Sequence, residues 1–333
     1  AAFDSFVFPT FGGGSVVLWW TDVDVVVNEP TDTLRLRVFD ADGVPVTDEM
    51  TVFDRPTALT RTTDHAVTPL ADGGFALTWV DHANDRILLQ RYSPAGEPDA
   101  GTPLDLGVAV SEERAPPSIV ALGGGRVLVS WSEARLLDAS ALIGVESRRA
   151  MIFELDVDSG SVARRVSEPF ELVPEAPLFS VGGMDFAAAP DGSFLSAVTR
   201  YGEDGRDHLE IRRFDSTGTS SGSVVTIETQ HGFFVEMVPL DDGSAVAIWE
   251  APSPDGDRVK AQRIDQTGAP AGDVVTVRDV AADGAPGPSF RSIATARAGD
   301  NFAVFWLEAD PAFAVGPVEA AYGQVFTPDL TPV

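Results

Sequence analysis

The sequence predicts an all-β fold, a β-propeller of six four-stranded blades with seven as the alternative count, and three observations carry that expectation. The six tryptophans all fall near the end of a short apolar run that follows a glycine-containing turn. A second landmark, a strand closing on an Asp-x-x-Gly turn, follows the first in the same order along the chain. No segment shows a convincing helical period of normal length.

The first landmark reads Gly13-Gly14-Ser15-Val16-Val17-Leu18-Trp19-Trp20 and Asp72-Gly73-Gly74-Phe75-Ala76-Leu77-Thr78-Trp79 in its first two copies. Later copies end at Trp131, Val198, Trp249 and Trp306, with valine where the fourth tryptophan is expected. Positions 20, 79, 131, 198, 249 and 306 lie 59, 52, 67, 51 and 57 residues apart, so the third unit carries an insertion. The second landmark is clearest in Val38-Phe39-Asp40-Ala41-Asp42-Gly43, Arg213-Phe214-Asp215-Ser216-Thr217-Gly218 and Arg263-Ile264-Asp265-Gln266-Thr267-Gly268. The repeat units run 1–59, 60–112, 113–175, 176–229, 230–285 and 286–333, and together are expected to form a single domain.

Each unit parses as strands A to D. In the second, strand A is Ala66 to Leu70, B is Phe75 to Val80, C is Arg86 to Tyr92 and D is Pro103 to Val108. Gly, Asp, Asn and Pro in the A–B and C–D links supply the chemistry of tight turns. Strand B is nearly continuously apolar, as a strand covered on both faces should be. Strand C alternates, as in Leu34-Arg35-Leu36-Arg37-Val38, so one of its faces is wetter. The best helical candidate is a short turn within Glu133 to Arg149, and the sixth unit lacks an evident strand D. Paired sandwiches give no reason to repeat a tryptophan-bearing strand, and solenoid coils are usually shorter.

Composition excludes several function classes. The 333 residues include no cysteine, which removes disulfides, thiolate metal sites and thiol nucleophiles. Against 51 acidic side chains stand 23 basic ones, Lys260 being the one lysine, for a net charge of −28. A surface this negative repels phosphate, so no nucleic-acid partner is expected. With 44% hydrophobic residues and a mean hydropathy of +0.05 the chain folds, yet no apolar run approaches the roughly 18 residues of a membrane span. It opens Ala1-Ala2-Phe3-Asp4, the form expected of a mature product after signal-peptide removal, so a secreted or cell-surface location is expected.

The Leu-x-Asp-Gly-Gly-Phe-Ala-Leu-Thr-Trp strand, with the Arg-Tyr/Phe-Asp-x-x-Gly turn that follows it, resembles repeats of large secreted bacterial proteins that often sit beside hemolysin-type (RTX-like) calcium-binding segments. The resemblance is good in units two, four and five and looser elsewhere. It implies an extracellular propeller and brings no catalytic residues. The Gly-Gly-x-Gly-x-Asp nonapeptides of true RTX segments are absent.

In a propeller the B–C and D–A loops share one face, where variation and function concentrate. Four acids two residues beyond the landmark tryptophan, Asp22, Asp81, Glu133 and Glu308, are candidates for a carboxylate pair acting on a glycosidic bond. Their recurrence at one repeat position points instead to a structural part of the blade, and Arg200 and Ala251 break the series. Arg200, Asp204, His208 and His82 are candidate ligand-binding residues, an arginine among acids suiting a carboxylate or sugar-acid ligand. Calcium takes six to eight oxygens, so Asp81, Asn84, Asp85, Asp255 and Asp257 are the candidate metal ligands, against the plainer reading of solvated acidic loops. No other cofactor is expected. His65 and His231 precede strand A of their units, Asp40 to Gly43 reads as a hairpin turn, and Gly218-Thr219-Ser220-Ser221-Gly222 matches a hydrolase elbow only by chance. Leu136-Leu137 and Ala141-Leu142-Ile143 in the third-unit insertion suit a lid or a protein contact.

The leading expectation is a non-enzymatic secreted or cell-surface propeller that binds a protein or glycan at its B–C loop face, or serves as a module of a larger extracellular assembly. The alternative is a glycoside hydrolase. The two differ in symmetry: an enzyme needs unusual polar residues on the inner strands of one or two blades, and there the sequence shows only Asp185.

Overall fold

The structure is a computed structural model describing residues 2–10, 13–23, 31–56, 65–81, 84–99, 103–109, 117–138, 143–155, 164–202, 207–229, 234–251, 258–279, 289–309 and 318–333. The fold class is that expected, an all-β propeller of six consecutive antiparallel sheets. The first sheet is β1 (Ala2–Pro9), β2 (Ser15–Val23), β3 (Thr31–Phe39) and β4 (Met50–Pro56), and the second β5 (His65–Pro69), β6 (Phe75–Asp81), β7 (Arg86–Tyr92) and β8 (Leu104–Ala109). The third holds β9 (Ser118–Leu122), β10 (Arg126–Asp138), β11 (Ile143–Glu154), β12 (Arg164–Arg165) and β13 (Phe170–Pro177). The fourth is β14 (Val181–Ala188), β15 (Phe194–Tyr201), β16 (Asp207–Phe214) and β17 (Ser220–Thr229). The fifth is β18 (Val235–Pro239), β19 (Ala245–Ala251), β20 (Arg258–Ile264) and β21 (Pro270–Asp279), and the sixth β22 (Ser289–Ala298), β23 (Asn301–Ala309) and β24 (Val318–Phe326).

Two sheets vary the plan. The third has both β12 and β13 against β11, and the sixth has three strands among the described residues, where Phe326 bridges Pro332 as Phe39 bridges Pro45 and Tyr92 bridges Pro98 in the first two sheets. The described residues between Glu133 and Arg149 are strand, in place of the short helical turn expected there. The third unit instead prolongs its own hairpin, β10 running 13 residues and β11 running 12, which satisfies the backbone groups of the insertion without a new element. Leu136 and Leu137 are exposed there, and Ala141 and Leu142 lie outside the described residues.

The chain divides into two compact units, one of Ala1–Ala121, Gly125–Arg135 and Ser147–Pro174, the other of Leu122–Gly124, Leu136–Glu146 and Glu175–Val333. In each, apolar clusters join successive sheets. Val16, Leu18, Leu34 and Leu36 meet Leu77 and Trp79 in the first unit, while Leu195 and Ile211 meet Ala247 and Trp249 in the second. The second strand of a blade is therefore covered on both faces, and all seven residues of β19 are buried. In the second, fourth and sixth sheets an aromatic pair ties the start of strand B to the end of strand C. The pairs are Phe75–Tyr92, Phe194–Phe214 and Phe302–Phe326, with ring centroids 4.8, 5.0 and 5.8 Å apart.

Turn aspartates explain the recurring Asp-x-x-Gly. Asp215 Oδ1 accepts the N–H groups of Thr217 and Thr219 at 2.8 and 3.0 Å, and Asp265 does the same with Thr267 and Ala269 at 2.8 and 3.0 Å. The glycine ends the turn at a positive φ, +85° at Gly218 and +89° at Gly268, a conformation that strains any residue with a Cβ. In the A–B turns Asp191 and Asp242 bond the N–H and hydroxyl of Ser193 and Ser244, which holds both carboxyls below the usual range. Replacing Asp265 with alanine strips its turn of these acceptors. The expected cost is about 1 kcal/mol, read as a lower urea midpoint with unchanged slope, and Asp265→Asn should recover part of it.

Candidate functional site

Several sequence candidates lie outside the described residues: His82, Asp204, His231, Asp255, Asp257 and the side chain of Asp22, whose backbone belongs to β2. The others fall into two groups. The loop acids are engaged with their own blades. Asp81 accepts Arg86 Nε at 2.9 Å and Asn84 Nδ2 at 2.8 Å, and Arg86 also reaches Asp105 at 3.2 Å. Asp85, at φ +51°, completes this hairpin turn. Among the described residues no group of three or more histidines and carboxylates gathers as a metal-binding cluster.

Glu133 and Glu308 show why acids recur two residues past the tryptophan. A two-residue step in a strand returns to the same face, so the acid sits beside the indole it follows. Trp131 Nε1 donates to Glu133 at 3.1 Å and Trp306 Nε1 to Glu308 at 2.9 Å. Each acid also meets an arginine, Arg149 at 3.6 Å and Arg278 at 2.9 Å, and the Arg278 guanidinium lies over the Tyr322 ring that stacks on Trp306. Where Ala251 breaks the series, Trp249 Nε1 is buried without a hydrogen-bond partner.

Arg200 and His208 are brought together as a cross-strand pair of β15 and β16, and Val181 of β14 pairs with Arg200 on the other side. Tyr201 N donates to Ser180 O at 2.9 Å, and Tyr201 and Phe179, the residue before Ser180, are both exposed at this end of the blade. Phe179 is 75% exposed and Tyr201 56%. Phe179 adopts φ +65°, rare for an aromatic residue, in a turn closed by Ser180 Oγ to Pro177 O at 2.6 Å. Leu178 N to Gly144 O and Val181 N to Glu146 Oε1, both 2.9 Å, fix the turn to the long hairpin.

The sequence reading missed the second carboxyl of the inner strands. Asp185 on β14 and Glu236 on β18 hold the same register position: each stands three residues before the residue that pairs with the first position of strand B, Ala188 with Phe194 and Pro239 with Ala245. Asp185 Oδ2 accepts Met237 N at 2.7 Å, and Thr295 Oγ1 of β22 donates to Glu236 Oε2 at 3.4 Å. Polar groups of three successive inner strands thus meet, although both carboxyls remain half-buried rather than sealed from solvent. Burial pushes Glu236 up to about 8 and the Asp185 charge acts in the same direction, while the Thr295 bond opposes. Burial also raises Asp185, to about 6, against backbone N–H bonds from Met237 and Phe186 that lower it. The signal available in sequence was an acid seven residues before the turn glycine in consecutive units, Asp185 before Gly192 and Glu236 before Gly243.

No family model matches the chain, and no curated protein matches it in sequence. Solved structures do. A polysaccharide lyase described as a PL25 ulvan lyase aligns at TM-score 0.56 and 10% identity, over 96% of this chain and 77% of that one. The likeness is one of fold. The same lyase has been solved bound to -[GlcA(1-4)Rha3S]-. The polysaccharide lyase Uly1 aligns at 0.51 and 10%, over 98% and 77%. A structure from work on two prolyl endopeptidases aligns at 0.50 and 14% over 99% of this chain, which spans 40% of the length of that one.

Two measurements check this geometry. Glu308→Ala strands a buried indole N–H and removes the carboxylate beside Arg278, and should cost about 3 kcal/mol in chemical unfolding, whereas the half-exposed Glu133→Ala should cost under about 1 kcal/mol. The raised carboxyls bind protons more tightly folded than unfolded, so their contribution is fully present below the unfolded value and is lost as pH rises to about 8. The stability of Glu236→Gln relative to the native protein should therefore climb with pH between about 5 and 8 and level off above.

Proposed function

We propose that the protein is a glycan-binding propeller acting outside the cell, with a sugar chain engaged at the end of the fourth blade where Phe179, Tyr201, Arg200 and His208 lie. The observation that carries this reading is the pair of exposed aromatic residues, one held in an unfavourable backbone conformation by a hydrogen-bonded turn. Strain of that kind persists where surrounding structure enforces it and is common at ligand sites. An exposed ring offers an apolar face to the C–H face of a pyranose, and neighbouring polar side chains supply bonds to hydroxyls. A fold shared with polysaccharide lyases supports a glycan over a protein partner. The extracellular setting follows the resemblance of the repeats to those of secreted bacterial proteins.

The charge narrows the ligand. A chain of net charge −28 repels polyanions over a Debye length of about 8 Å at physiological salt, so a neutral glycan is favoured over a uronate-rich or sulfated one. Affinity electrophoresis through a panel of neutral and anionic polysaccharides tests this. Retardation is expected in at least one neutral glycan, and Phe179→Ala and Tyr201→Ala should each weaken it by about 3- to 10-fold. Retardation unchanged in both variants, or confined to sulfated gels, would overturn the reading.

A further inference from the structure

We infer that Asp185 and Glu236 form an acid–base pair that hydrolyses a glycosidic bond in the glycan bound at the fourth blade, an inference that rests on the glycan reading for its substrate class. The first support is asymmetry. The same register position is Ala66 in the second blade, pairing with Thr78. The blade accepts alanine there, so its architecture requires no carboxyl, yet two consecutive blades carry one each.

Placement is the second support. Asp185 stands opposite Ala197, four residues along β15 from Tyr201, about 13 Å of extended chain and within reach of a short oligosaccharide. Between them the register of β14 against β15 shifts from Val181 to Met184, and Gly182 and Gly183 present no side chains. The first and sixth sheets shift at the same place, between Phe3 and Ser5 and between Phe290 and Ser292, and such bulges re-aim side chains. A Cβ on Gly182 would come within 2.4 Å of Thr199 Oγ1, so glycine is required for the close approach of these strands.

The environments of the two carboxyls assign their roles. Glu236 is half-buried and accepts the Thr295 hydroxyl, and burial beside the Asp185 charge favours its protonated form. Asp185 accepts two backbone N–H groups, which favour its ionised form. Asp185 then takes a proton from a water molecule whose oxygen bonds to the anomeric carbon. As the bond from that carbon to the leaving oxygen breaks, Glu236 delivers its proton to that oxygen. Water is consumed, two sugar hydroxyls are formed, and proton exchange with solvent restores both groups.

The test uses the full chain against neutral oligosaccharides and activated aryl glycosides, the latter too small to need Phe179 or Tyr201. Sugar release is followed by reducing ends and by proton NMR of the first-formed anomer. Release by the native protein is expected with inversion, and Glu236→Gln and Asp185→Asn, each confirmed folded by its thermal midpoint, should lower it at least about 100-fold with glycan retardation unchanged. Glycan binding with no release of any sugar would overturn the acid–base pair and leave the binding reading standing. Aryl glycoside turnover with no glycan retardation would sustain the pair and overturn the binding reading. Turnover that survives both substitutions, or no turnover of either substrate class, would overturn the pair.

Discussion

Burial of each blade's second strand on both faces is the constraint from which most of this structure follows. A strand so placed buries no charge ahead of its tryptophan, so its residues run as an apolar series closed by that ring, and an acid enters only after it, as Glu250 and Glu308 do. The clusters joining successive sheets in each unit consist largely of these residues. Once the second strand is covered, hydrogen bonding in the turns becomes the remaining local problem. The turn aspartates solve it with one side-chain oxygen serving two backbone donors.

The same constraint accounts for the acid that trails the tryptophan. A large ring at the end of a covered strand buries an N–H that must be satisfied, and the residue two steps on is the nearest side chain on its face. Glu133 and Glu308 meet that need, and arginines of adjoining strands balance their charge. Groups that resemble a catalytic ring in sequence are thus largely occupied. The carboxyls left for chemistry lie elsewhere, on inner strands where alanine would have sufficed.

Much of the fold was legible because turn chemistry and two-residue alternation are local. The second unit was parsed within two residues at every strand boundary, since Asp72-Gly73-Gly74 and Ser93-Pro94-Ala95-Gly96 mark its turns unambiguously. The long hairpin of the third unit was not legible, because the insertion from Ser132 to Arg149 mixes small, charged and aliphatic residues without a clean period. At the candidate site, Arg200 and His208 were singled out as loop-face residues and the structure pairs them across two strands. Glu236 escaped notice because its significance is relational: Asp185 and Glu236 lie 51 residues apart, and only the stacking of β14 beside β18 makes them one group.

Trp249 gives the second unit a built-in optical gauge. Its indole is enclosed, lacks the hydrogen bond that Trp131 and Trp306 make, and belongs to the residue paired with Val235, the immediate neighbour of Glu236. An indole in apolar surroundings with a bare N–H emits at shorter wavelength than one that is hydrogen-bonded to a carboxylate. Ionisation of the adjoining strand, or occupation of its surface, places a field across that ring without touching it. The blade that keeps its tryptophan but omits the acid is therefore the one whose fluorescence reports on the inner strands.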